Sequence, residues 1–172
     1  MIIDYKSKSP NIDPEAFVAP DAWVIGDVNI AKDVSIFFGT VLRGDLESIS
    51  VGEGTNIQEH SLLHTTNKRS PVVVGKHITI GHRAIVHGCR IGDGSLIGMG
   101  ATVLDDTVVE EECIIGAGCV VKENQVIPAR SLVVGVPGKI VKTLSDEDIK
   151  GMRDSALDYV QKGKDYKKIL GL

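Results

Sequence analysis

Over most of its length this chain places an aliphatic residue at every sixth position. Val18, Val24, Ile30, Ile36 and Leu42 keep the step, as do Val51, Ile57 and Leu63, and then Val74, Ile80 and Val86. The last run, Ile91, Ile97, Val103, Val109, Ile115, Val121, Ile127 and Val133, keeps it without interruption. Four residues after many of these stands a small or compact residue, among them Ala22, Val34, Thr40, Thr55, Ser61, Ala84, Ser95, Ala101, Thr107, Cys113 and Cys119. An α-helical stripe would repeat at three and four. Hairpin-linked strands would recur every eight to twelve residues or so. A fixed step of six is the hexapeptide pattern of a parallel β-helix, in which each hexad is a short strand plus a corner. Three hexads close one triangular coil of about eighteen residues.

The step breaks in three places. Leu42 to Val51 is three residues longer than a hexad, Leu63 to Val74 is five longer, and Val86 to Ile91 is one shorter. Such changes belong at corners, where they become loops. The polar segment Thr65–Pro71 is expected to be an exposed one.

Composition agrees with a narrow coil. Only 4% of the residues are aromatic, as suits an interior that accepts Val, Ile and Ala more readily than rings. A net charge of −4 with no basic run argues against a nucleic-acid partner. No apolar stretch is long enough to span a membrane and the N-terminus lacks a signal-peptide core, so a cytoplasmic protein is expected. Cys89, Cys113 and Cys119 show no CxxC spacing and read as buried thiols in a reducing compartment.

Residues 1–140 are therefore read as the β-helix and 141–172 as a helix packed beside it. Ser145 is placed as an N-cap before the acids Asp146, Glu147 and Asp148. Ile149, Met152, Ala156, Tyr159 and Val160 then form one apolar stripe, with a break in the helix expected near Gly163.

The phase of the repeat locates the histidines. His64 follows Leu63 by one and His87 follows Val86 by one, so they share a position on one face, one coil and about 4.8 Å apart. Two imidazoles so placed can share a cation with bonds of about 2.1 Å. His82 follows Ile80 by two and lies at a different corner, where a second subunit of a three-fold assembly would bring it to the pair. Arg43 falls one coil below His64, and Glu59 one coil below His82, where it can orient that imidazole. Gln58 can hold a bound water or an oxyanion, and Arg43 and Asp45 stand near the same interface, where a salt bridge between subunits is the alternative to a catalytic role. His60 and His77 lie outside the ladder and read as structural or solvent-exposed.

These residues resemble a known family. The segments Val41–Asp45, Asn56–Glu59, Leu63–His64, Gly81–His82 and Val86–Gly92 are similar to the gamma-class carbonic anhydrases, as are Ile97–Gly100 and Ile115–Gly118. The resemblance implies an all-β, left-handed parallel β-helix with a C-terminal α-helix alongside, and a homotrimer. It implies zinc, iron or cobalt at each subunit interface, held by His64 and His87 of one subunit and His82 of the next. Arg43, Asp45 and Gln58 match positions around the active site, and Tyr159 resembles a C-terminal-helix tyrosine that reaches the pocket.

The activity so implied is reversible hydration of carbon dioxide to bicarbonate. The active relatives carry an acidic loop near the first histidine, whereas Thr65–Arg69 contains no acid and Leu46 stands where Glu is common. Slow turnover is therefore expected. The alternatives are an acyl-thioesterase or acyltransferase on the same scaffold, or a metal-stabilised assembly subunit of weak activity.

Overall fold

The computed structural model describes residues 1–172. The hexads build a parallel β-solenoid of about seven turns with one C-terminal helix. One face stacks the strands Phe17–Val18, Ser35–Ile36, Asn56–Ile57, Thr79–Ile80, Leu96–Ile97, Ile114–Ile115 and Ser131–Val134, all parallel. Lys139–Thr143 then adds to Ser131–Val134 in the antiparallel sense. The two other faces merge into one sheet, because Trp23–Ile30 and Val41–Val51 run unbroken round the corner between them.

The period explains the core. Ile57, Ile80, Ile97, Ile115 and Val133 stand in register on one face and are wholly buried. Leu42, Leu63, Val86 and Val103 do the same on another. The small positions have a second use beyond filling the corners. Their hydroxyls donate to backbone carbonyls of the coil above: Thr40 Oγ1 to Gln58 O at 3.0 Å, Thr55 Oγ1 to Gly75 O at 2.8 Å, and Ser61 Oγ to Gly81 O at 2.9 Å. A buried hydroxyl without such a partner would cost about 1–3 kcal/mol.

Cys113 and Cys119 occupy the same small positions and are fully buried, and all three cysteines are free. Burial pushes the Cys89 thiol up to about 12. None of the three is therefore expected to react with a disulfide reagent in native protein near pH 8, because the thiolate is the reactive form. All three should titrate once denaturant is added; rapid native labelling would show that the coil interior is open to solvent.

The helix α1 spans Asp146–Leu170 without interruption. Ser145 caps it in a reciprocal box with Asp148, whose carboxylate accepts from the Ser145 backbone N–H and is held down to about 2. The break expected at Gly163 does not occur. Gly163 is buried, and a Cβ there would lie 2.0 Å from Ser35 Oγ, so glycine serves close helix–coil approach. Helix α1 packs over the face that carries Phe17, Ile36, Ile57 and Ile80. Five of the seven aromatic residues, Phe17, Phe37, Phe38, Tyr159 and Tyr166, meet there with centroids 5.4–6.4 Å apart. The rings lie between helix and coil, outside the narrow lumen.

The three breaks in the period gather at one corner. Opposite the single residue Asp27, the strand Val41–Val51 carries Asp45–Ser48 as a bulge. Residues 65–71 form a tight loop closed by the Thr66–Ser70 bridge. Gly88, at φ 53°, turns the chain sharply after His87. This corner borders the histidine ladder.

Candidate metal centre

Parallel register sets Arg43, His64 and His87 side by side on three successive coils. His64 is buried and His87 half-buried, with ring centroids 5.0 Å apart. Nδ1 of His64 faces Nε2 of His87 at 3.0 Å. The outer nitrogens are engaged elsewhere: His64 Nε2 lies 3.1 Å from Asp45 Oδ1, and His87 Nδ1 lies 2.5 Å from Asp105 Oδ1. Asp45 also accepts from Arg43 Nη1 at 2.6 Å, and Asp105 from Thr66 Oγ1 at 2.5 Å.

An imidazole that donates its outer N–H to a carboxylate keeps a lone pair on the inner nitrogen. Two lone pairs thus converge between His64 and His87. A proton or a metal cation would relieve their repulsion. Burial, with the nearby charge of Arg43, outweighs the Asp45 carboxylate and sets His64 below the usual histidine pKa, which disfavours the proton. Nitrogens sharing one cation at about 2.1 Å stand roughly 3.4 Å apart, close to the spacing seen here. His64 and His87 thus fit as two ligands of a metal.

The carboxylates are themselves prepared as anions. Burial pushes the Asp45 and Asp105 carboxyls up. Hydrogen bonds from Arg43 and His64 to Asp45, and from Thr66 and His87 to Asp105, outweigh this and leave both below the ordinary aspartate value.

His82 sits at another corner, with Nδ1 2.6 Å from Glu59 Oε2. Each of His64, His82 and His87 is thus backed by a carboxylate. His60 and His77 have none and occupy left-handed corners at φ 60° and 52°, a region in which His is enriched. Their Nδ1 atoms press on Gly39 and Gly54 of the coil below, where any Cβ would lie 2.4 Å away. Their role is to turn the chain.

The site residues expected from sequence fall into two groups. Arg43, Asp45, His64 and His87 are joined by direct hydrogen bonds. Gln58, Glu59, His82 and Tyr159 belong to the neighbouring corner: Gln58 is buried with Nε2 3.3 Å from Asn56 Oδ1, and the charge of Glu59 helps burial raise the Tyr159 hydroxyl pKa. Within one chain no three His, Cys, Asp or Glu side chains are placed to hold a metal ion. Sequence reasoning missed Asp105. Its signal was its phase, for it stands two after Val103 and so one coil above Gly88, whose lack of a side chain leaves the carboxylate room to reach His87.

Several known proteins are similar to this chain in sequence and fold. The family described as "Bacterial transferase hexapeptide (six repeats)" matches residues 88–123. The Arabidopsis thaliana protein "Gamma carbonic anhydrase 2, mitochondrial" is 46% identical over 158 residues, covering 89% of this chain and 57% of its own. "Carbonic anhydrase" of Geobacillus kaustophilus is 38% identical over 167 residues, covering 97% of this chain and 91% of that one. This chain belongs to the gamma carbonic anhydrase family. It spans only 57% of the length of two Arabidopsis relatives. A crystal structure of a "hexapeptide transferase family protein from Anaplasma phagocytophilum" superposes with a TM-score of 0.92 at 39% identity, over 96% of this chain and 97% of that one. The left-handed parallel β-helix implied by the sequence resemblance is the fold of this family member.

Proposed function

We propose that this family member is a metal-dependent carbonic anhydrase of modest turnover. It binds zinc, with iron or cobalt as alternatives, at sites shared between subunits of a homotrimer. The observation that carries the reading is the backing of His64, His82 and His87 by Asp45, Glu59 and Asp105, with two ring nitrogens converging at 3.0 Å. The shared site rests on the division of the residues into two groups and on an outward apolar ladder beside the histidines. Trp23, Val41, Leu62 and Ile85 stand in register there, with Trp23 and Ile85 exposed. A second subunit laid on this ladder would bring its His82 to His64 and His87. Zinc so held would let water act as a nucleophile near neutral pH.

The chain's own residues do the rest. Asp45 and Asp105 hold the imidazoles in the tautomers that present their lone pairs. Arg43 fixes Asp45 and contributes positive charge where bicarbonate forms. The Gln58 amide orients the attacking water toward the carbon of carbon dioxide. The proton released has few acceptors nearby. In the 65–69 loop, Arg69 pairs with Asp106, and the Lys68 backbone N–H donates to Glu47. Glu59 or a buffer base carries the proton away.

Hydration followed by stopped flow on zinc-loaded protein should therefore be slow and should rise with imidazole concentration. Asn67→Glu should raise turnover at low buffer. A fully metallated trimer without activity in any buffer would overturn the proposal. It would favour the acyl-transfer reading, to which the description of the Anaplasma relative points. No helix is long and apolar enough to cross a membrane. Three buried free thiols support a reducing compartment.

A further inference from the structure

The 65–71 loop and the Leu104–Thr107 corner meet through a run of short hydrogen bonds outside the ligand set. Thr66 Oγ1 donates to Asp105 Oδ2 at 2.5 Å, while Asp105 Oδ1 faces His87 Nδ1 at 2.5 Å. The next residue, Asp106, turns at φ 56° and faces the other way. It accepts from Ser70 Oγ at 2.5 Å and Arg69 Nε at 2.6 Å. The two neighbouring aspartates thus have separate duties. Asp106 ties the loop to the coil, and Asp105 joins a loop hydroxyl to an imidazole.

We infer that Asp105 is the positioning residue of His87 and that Thr66, which touches no ligand, sets the aim of that carboxylate. The inference rests on the metal reading proposed above. A carboxylate with one partner can rotate. Here both oxygens are engaged and the residue is buried, so the direction of the His87 ring is fixed from behind. The space is also specific to this pair, since a Cβ on Gly88 would lie 2.4 Å from Asp105 Oδ1 and 2.7 Å from Ser70 Cβ. Loss of a carboxylate behind a metal-bound histidine costs about 10–100-fold in metal affinity. The loop that lacks an acidic proton carrier thus has a different task, to hold the metal site in shape.

The test is zinc affinity by chelator competition, together with the visible spectrum of the cobalt-substituted protein, on full-length Asp105→Asn, Thr66→Val and Thr66→Ser. Asp105→Asn should weaken zinc binding about 10–100-fold. Thr66→Val should weaken it by a smaller factor and alter the cobalt spectrum, and Thr66→Ser should restore both. In the Asp105→Asn background Thr66→Val should add nothing, because the two residues act in series. Ser70→Ala cuts only the Asp106 branch and should leave affinity within about two-fold of the parent. Parent-like affinity in Thr66→Val and Asp105→Asn, alongside metal loss in His87→Ala, would overturn the inference and leave the metal reading standing. An effect of Ser70→Ala as large as that of Thr66→Val would also overturn it, since loop order alone would then explain the loss. A parent protein that binds no zinc overturns the metal reading and this inference with it, and the parent titration shows that first.

Discussion

Replacing His64, His82 or His87 by alanine is expected to lower bound zinc from about one ion per subunit to background, because a three-ligand site seldom survives the loss of one ligand. His60→Ala and His77→Ala should retain the metal. The contrast follows from geometry, since all five histidines have the same chemistry. Three have a carboxylate within 3.1 Å of one ring nitrogen, which leaves the other free to ligate. The other two press a ring nitrogen against the coil below and hold left-handed corners. Metal content by atomic absorption, on protein purified at matched expression, decides the matter. Full occupancy in His82→Ala would remove His82 from the set and with it the need for a second subunit.

The shared site proposed above has a larger and more specific expected consequence. His64→Ala and His82→Ala proteins, each empty, should recover metal when unfolded together, mixed in equal amounts and refolded. In any three-fold ring holding both variants, one interface pairs an intact His64–His87 ladder with an intact His82 of the neighbour. Random assembly makes about three quarters of the rings mixed, so zinc should return to roughly one quarter of the wild-type amount per chain. Mixing His64→Ala with His87→Ala should restore nothing, because both lesions fall on the same side of the interface. Equal recovery in both mixtures, or in neither, would sink the shared site. The experiment needs no assumption about the reaction and separates the architecture of the site from its activity.

What could be read from the sequence depended on whether a residue kept its phase. Arg43, His64 and His87 kept it, and so did Glu59 and His82, because a parallel solenoid converts an offset within the hexad directly into a place on a ladder. Asp45 sits inside the Asp45–Ser48 bulge, where the count is lost. Its contact with His64 therefore could not be derived from the period. Asp105 kept its phase, but its duty depends on a carboxylate reaching across Gly88, and a periodicity does not report side-chain direction. Gly163 reads as a helix breaker by propensity. Packing reversed that reading, because the helix needs a residue without a side chain where it crosses Ser35. Lys139–Thr143 follows no hexad at all and emerges only from its antiparallel pairing.

That last strand bears on how such a molecule ends. Every coil of a parallel ladder exposes a row of N–H and C=O groups of the kind the next coil consumes, so the final coil is a template for further growth. A second molecule offering its own first coil could continue the stack, and the product would be a fibre. Lys139–Thr143 occupies the template on the helix-covered face with its chain direction reversed. Gly138 closes part of the adjoining face by donating to Val120 O. A strand running the wrong way offers poor register to an incoming parallel coil, and Lys139 and Lys142 place charge on the new edge. The short reversal after Gly138 therefore gives the solenoid a definite length and keeps one molecule from becoming the seed of the next.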